Sequence, residues 1–409
     1  MGMASLKKSC TKPIVKKILL AVASGVTFLL VLEAITRLCG RPHGDFDAFF
    51  PNPQDLYPRN QTLKMTWGPI AYTVKTNNQG FRGDDFSSQK PSGSFRILTI
   101  GDSITDGFFV DNASMWQPAV QAKLAGQLRV PVEVINGARG GGSIDMELSR
   151  LRQFTPRLQP DLVILTFVTN DIYEILDVPR NVLLERSRAP QALSATQSIL
   201  RFFVVHTGLG EFSLDTYLCL RSRSYRNRPK PRDTEYDDSR YAIAGGEYYQ
   251  ENVAVFLQNF GGANWDGLVL GNSFSEQTEA AFRNYCALLE EFAMVCKANK
   301  ARFLLVYYPA YSQIYDVAAP RYINNRLASA CQELGIKFFD MTDGWRGRAA
   351  HRVLHLAPVD FHMNPVGNRV FADLLADYLL QNPEPFLNTP RSPAASGGQA
   401  SHDPPATRP

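Results

Sequence analysis

Asp161-Leu-Val-Ile-Leu-Thr-Phe-Val168 is almost wholly apolar over eight residues. A strand with no polar face to offer water must be covered on both sides, which is the situation of a strand in a parallel sheet. Short β-prone runs of the same kind recur at Phe95–Ile100, Val132–Ile135, Arg302–Tyr308 and Lys337–Met341. Between them lie segments with helical periodicity at Pro118–Leu128, Ser143–Leu158, Ser275–Ala298, Asn324–Leu334 and Pro365–Leu380. Strands alternating with helices predict an α/β domain with a central parallel sheet covered on both sides, a three-layer α/β/α sandwich. Ligands of such sheets bind beyond the carboxyl ends of the strands.

The expected organisation is a basic segment at 1–17, an apolar anchor at 18–38, a Pro-, Asn-, Gly- and Asp-rich lead-in at 41–93, and the α/β domain at 94–382. Residues 175–274 form an insertion with weak periodicity. It contains Arg221–Arg232, six basic residues in twelve, which reads as a solvated loop or as a contact for anionic headgroups or an acidic polymer. Residues 383–409, rich in Pro, Ser, Ala and Gly, are expected to be a disordered tail.

Ile18 to Leu32 carries no charge. A helix from Ile18 to Leu38 is about 31 Å long, one hydrocarbon thickness. Glu33 and Arg37 interrupt it near its far end, spaced so that they can pair. Five lysines precede the span and place the amino terminus in the cytoplasm, with the body outside it. A cleaved signal peptide and a buried core helix are the competing readings; no clean small-x-small cleavage site follows the apolar run.

The formal charge of +4 is uneven. Six basic residues and one acid in the first 40 carry +5, which leaves the remaining 369 at −1. A near-neutral body has no electrostatic footprint for nucleic acid. Six cysteines in 409 residues do not make a disulfide scaffold. Cys286 and Cys296, on one helix about 15 Å apart, cannot bond to each other. Cys219 or Cys331 could pair with either; reduced core cysteines are the alternative.

The first strand runs into Gly101-Asp102-Ser103-Ile104, where a turn lifts a serine hydroxyl above the sheet edge beside the N–H groups of a helix start. A serine nucleophile needs a base. His362, in Val359-Asp360-Phe-His362-Met-Asn364-Pro-Val-Gly367, stands just before the last helix, with Asp360 two residues earlier to accept its Nδ1–H. His351 and His355 are spaced as a zinc pair would be, but no third ligand presents itself. Donors for a developing oxyanion are offered by Asn136-Gly-Ala-Arg-Gly140-Gly141-Gly142 after the second strand. The side-chain amide of Asn170, in Thr169-Asn170-Asp171 after the third strand, points toward the same crevice.

These four blocks, in this order, resemble the SGNH (GDSL) hydrolase superfamily over about residues 94–382. The lead-in Asn77-Asn-Gln-Gly80-Phe-Arg82-Gly is similar to that of membrane-anchored bacterial members. The resemblance implies a flavodoxin-like three-layer sandwich, with Ser103 as nucleophile, His362 as base and Asp360 as its partner. It implies an oxyanion hole formed by the Ser103 N–H, Asn170 and Gly141, or Gly140 if the loop is one residue short. Val168 departs from the family pattern by occupying a glycine place in the third block. Asp360 departs by standing two rather than three residues before the histidine.

The expected function is a single-pass, membrane-anchored serine esterase without cofactor or metal. Its partners are an ester substrate (an acylated carbohydrate or lipid of the envelope) and the membrane. Two alternatives share the fold: an O-acyltransferase with the same residues, and a non-catalytic envelope module.

Overall fold

The computed structural model describes residues 11–39, 57–67, 70–188, nine positions between 196 and 213, 271–350, 352–356 and 360–387. The stretch Arg221–Arg232, Cys219, His351 and the tail beyond Leu387 lie outside these residues.

Helix α1, Thr11–Cys39, contains Val15–Leu38, which is long and apolar enough to cross a membrane and has its side chains exposed along most of that length. Arg37 Nε donates to Glu33 Oε1 at 2.6 Å, so the two interruptions do pair. Glu33 also accepts from the backbone N–H groups of Gly208 (2.8 Å) and Leu209 (2.9 Å), tying part of the insertion to the end of this helix.

The lead-in contains an antiparallel hairpin, β1 (Thr62–Trp67) and β2 (Ile70–Lys75), which the composition did not suggest. The domain then alternates. Strand β3 (Phe95–Ile100) leads to α2 (Ser103–Asp106) and α3 (Trp116–Ala125); β4 (Val132–Asn136) leads to α4 (Ile144–Leu158). Strand β5 (Leu162–Phe167) leads to α5 (Asn170–Tyr173) and α6 (Arg180–Arg188). After the insertion come α7 (Glu276–Ala298), β6 (Arg302–Tyr307), α8 (Tyr311–Tyr315), α9 (Tyr322–Leu334), β7 (Lys337–Asp340) and α10 (Thr342–Ala349). Helices α11 (Pro365–Gln381) and α12 (Pro383–Phe386) close the chain. Ser275 caps α7 by accepting from the Thr278 N–H, and Gly335 ends α9 in the left-handed conformation.

All five domain strands are parallel, in the order β4-β3-β5-β6-β7. Alternation along each strand sorts the core into two layers. Phe95, Ile97, Leu162, Ile164, Leu304 and Val306 face α3, α10 and α11. Leu98, Ile100, Val163, Leu165, Leu305 and Tyr307 face α4, α7 and α9. Chain order reverses between β3 and β5, and at such a switch point the loops diverge and leave a crevice.

Two boundaries move. Residues 175–188, read as the start of the insertion, pack into the domain through Ile175 and Leu183, both buried. The domain does not end at 382: α12 folds back with Phe386 and Leu387 buried, because two apolar side chains find cover beside the last long helix. Cys286, Cys296 and Cys331 are free thiols.

Leu165 lies at the middle of β5, wholly buried. Leu165→Ala is expected to cost about 2–5 kcal/mol, because a rigid sheet cannot collapse onto the hole. Equilibrium denaturation of the full chain measures it.

Candidate active site

The two strands at the switch point deliver the two central side chains. Strand β3 is followed by Gly101, where a Cβ would stand 2.3 Å from Thr105 Oγ1; the chain can turn here only without a side chain. Asp102 then caps α2, its Oδ1 accepting from the Ile104 N–H at 2.9 Å, and Ser103 becomes the first residue of that helix. Strand β5 ends two residues before Thr169, and Asn170 opens α5 across the crevice.

His362 arrives from the other end of the domain. Its loop is held by Leu356 N–H donating to His362 O (2.9 Å), Asn364 N–H donating to Leu354 O (3.1 Å) and a bridge between His355 and Met363. Asn364 caps α11 through Gly367 N–H (2.8 Å) and donates its amide to Val353 O (2.8 Å), while a Cβ on Gly367 would meet Leu354 O at 2.1 Å. The two residues that flanked the histidine in the sequence are therefore the framework of its loop.

The chain brings Ser103 and His362 together across 259 positions: Oγ lies 2.7 Å from Nε2. Asp360 Oδ1 accepts the His362 backbone N–H at 2.9 Å and makes a close contact with Nδ1 of the same ring. A carboxylate can only accept, so Nδ1 carries the hydrogen and Nε2 offers its lone pair to the serine. Asp360 and His362 are buried, whereas Ser103 is partly exposed. Three phenylalanine rings enclose the imidazole, Phe361 stacked at 4.5 Å, Phe109 edge-on at 4.9 Å and Phe108 at 5.6 Å between centroids.

The glycine loop lies on the same side. Gly140 N–H donates to Asp106 Oδ2 at 2.9 Å, and its Cα faces the Phe108 ring so closely that a Cβ would overlap it. Gly140 is thus occupied as a donor, while Gly141, at φ +72°, follows it in the left-handed region. Asn170 Nδ2 donates to Asp102 Oδ2 and to Glu174 Oε1, each at 3.1 Å. The amide therefore reaches the crevice already engaged by two carboxylates, which the motif alone did not indicate.

Glu174 is one turn beyond Asn170, an i,i+4 spacing that would have identified it in the sequence. Burial and the nearby Asp102 carboxylate push Glu174 up to about 7 from its ordinary 4.5. Burial likewise raises Asp102, and drives Glu147 and Asp171 well above the carboxylate range. A raised acid binds its proton more tightly in the folded state. Its stabilising effect is full below the ordinary value and disappears as pH climbs through the folded one. Stability should therefore fall between about pH 5 and pH 7. Glu174→Gln is expected to flatten that slope, read from thermal melts across pH.

His355, the other histidine of this region, is buried with Nε2 2.8 Å from Tyr308 OH and Nδ1 3.0 Å from Tyr315 OH. Burial lowers it to about 3, so it stays neutral, with both ring nitrogens facing tyrosine hydroxyls.

A five-stranded parallel sheet with helices on both faces and an inverted strand order is a doubly wound three-layer α/β/α sandwich, as expected. Residues 99–210 match the model of the GDSL-like lipase/acylhydrolase family. No curated protein matches the chain. Similar solved structures include TesA (13% identity, covering 69% of this chain and 97% of that one, TM-score 0.37). Others are the acetyl xylan esterase AlAXEase (12%, 70% and 100%, 0.35) and the psychrotrophic esterase EstA from Pseudoalteromonas sp. (11%, 71% and 98%, 0.36).

Proposed function

We propose that the protein is a serine esterase, held at the membrane by α1, that cleaves an acyl ester of envelope carbohydrate or lipid through an acyl-enzyme. The observation that carries this reading is the 2.7 Å contact between Ser103 Oγ and a His362 Nε2 whose other nitrogen faces Asp360. In the first step His362 takes the serine proton as Oγ adds to the ester carbonyl. The oxyanion is held by the Ser103 N–H, at the positive end of α2, and by Gly141. Of the two glycines considered, Gly140 has already committed its N–H to Asp106. Asn170 joins them as one of its N–H bonds turns from a carboxylate to the substrate oxygen. The imidazolium then protonates the departing alcohol. Water enters, gives its proton to His362 and attacks the acyl group, and the acid leaves as Ser103 recovers its proton.

The five lysines before Ile18 support an orientation with the catalytic domain outside the cytoplasm. The test is turnover of p-nitrophenyl acetate and butyrate by the full chain in detergent, with a fluorophosphonate probe and product analysis on acylated glycans. Free acid and probe attachment at Ser103 are expected. Acyl-glycan in place of free acid assigns the chain to transfer instead, and an unlabelled serine with no turnover refutes catalysis at this site.

A further inference from the structure

The lead-in motif Asn77–Gly83 is not a spacer. Asn77 Oδ1 accepts from the N–H groups of Gln79 (2.9 Å) and Phe81 (3.0 Å), and its Nδ2 donates to Asp84 O (3.0 Å). This local turn sends Arg82 inward, where it is 2% exposed. One guanidinium then grips the loop that follows the serine helix. It donates to the carbonyls of Asp106 (3.0 Å), Gly107 (2.6 Å) and Val110, and to Asn112 Oδ1 (3.0 Å). Strand β2 holds the same loop from its edge: Thr73 N–H donates to Asp111 Oδ1 (2.6 Å), and Asn112 exchanges two hydrogen bonds with the Lys75 backbone.

What the loop carries explains the grip. Phe109 sits at φ +67°, a conformation that costs an L-residue energy and lasts only when its surroundings impose it. Its ring is wedged between Tyr72 of β2, edge-on at 5.7 Å, and His362 at 4.9 Å. Phe108, the preceding residue, covers Gly140 and the other side of His362. A second strut runs parallel to the first: Tyr57 OH donates to Asp106 Oδ2 at 2.8 Å, the oxygen that accepts Gly140 N–H.

We propose that Arg82 is a positioning residue for ester cleavage, fixing through loop 106–112 the phenylalanine clamp that sets the His362 ring against Ser103. The proposal rests on the serine-esterase reading above. An imidazole that must serve the serine and then the leaving oxygen tolerates little displacement, and an error of about 1 Å costs on the order of 10²-fold in rate. Arg82 acts without touching substrate. A lysine cannot replace it, since a single ammonium cannot reproduce the planar fork that spans several carbonyls of one loop.

The experiment compares full-length wild type, Arg82→Met, Arg82→Lys, Phe109→Leu, the Arg82→Met/Phe109→Leu double variant and Ser103→Ala, with p-nitrophenyl acetate as substrate. Expected for Arg82→Met is a fall in kcat of roughly 10²-fold with KM changed about two-fold or less. The acidic limb of the kcat/KM–pH profile should move, because the packing around the imidazole has changed. Arg82→Lys should recover little of the loss. Phe109→Leu keeps an apolar side chain and should show the same displaced profile, and the double variant should lose no more than the worse single one. Wild-type kcat and profile in folded Arg82→Met overturn the proposal; so do additive losses that simply follow the melting temperature. If Arg82→Met does not fold, Phe109→Leu decides alone, and an unchanged profile there overturns it. Ser103→Ala separates the two levels. Turnover equal to wild type refutes the serine-esterase reading itself, whereas an inactive Ser103→Ala beside fully active Arg82 and Phe109 variants refutes only the positioning role.

Discussion

Ser103→Ala in the full-length protein is expected to lower kcat by about 10⁴- to 10⁶-fold while leaving the melting temperature near that of wild type. The size follows from what the hydroxyl does. Without Oγ no acyl-enzyme forms, and only direct attack by water remains, helped by the oxyanion donors; removal of a serine nucleophile leaves a rate about 10³- to 10⁴-fold above the uncatalysed one. The small effect on stability follows from position. Ser103 is partly exposed, and its helix is capped by Asp102 rather than by its own side chain. Its hydroxyl makes one short bond, to His362, which in the variant can turn to water. Initial rates and melts on the same preparation decide. A variant that keeps more than about a tenth of wild-type kcat shows that the ester is cleaved elsewhere.

The strands were legible because their burial is extreme. Asp161–Val168 has no polar face, and Leu162–Phe167 is buried at every position. The serine and histidine blocks were legible for a related reason: each sits where a strand or loop meets a helix, so its place in the crevice follows from the order of elements. The lead-in hairpin was not. Thr62–Trp67 and Ile70–Lys75 are short and mixed in polarity, and their buried side chains cluster with Phe109 and Leu356, far along the chain. Long-range side-chain pairing was equally invisible. Nothing near Tyr57 in the chain announces that its hydroxyl will meet Asp106, 49 positions on. Nor does a Gly-Gly-Gly run say which N–H stays free; that depends on the same Asp106, which claims Gly140. Asn170 shows the limit most clearly. The motif puts its amide in the crevice, but Asp102 and Glu174 already hold it.

Asp360 is the second position where a small change should have a large effect, and the substitution to choose is Asp360→Asn. The two side chains have nearly the same shape. One oxygen, Oδ1, accepts the His362 backbone N–H at 2.9 Å and also faces Nδ1, so an amide that turns its nitrogen to the ring gives up the backbone bond. What changes for catalysis is the proton. A carboxylate forces Nδ1 to be the N–H and leaves Nε2 free to accept from Ser103; an amide nitrogen turned toward Nδ1 donates, which moves the ring hydrogen to Nε2. The base then points a hydrogen at the group it should deprotonate, and the imidazolium loses its neighbouring negative charge. The expected fall in kcat is about 10³- to 10⁴-fold, with KM little altered and the fold intact. Asp360→Ala provides the contrast, because it removes every partner of the loop at this position and should lower stability more than Asp360→Asn does. If Asp360→Asn instead cleaves p-nitrophenyl acetate at nearly the wild-type rate, the tautomer of His362 is set by something other than this carboxylate. The two-residue spacing would then be structural rather than catalytic.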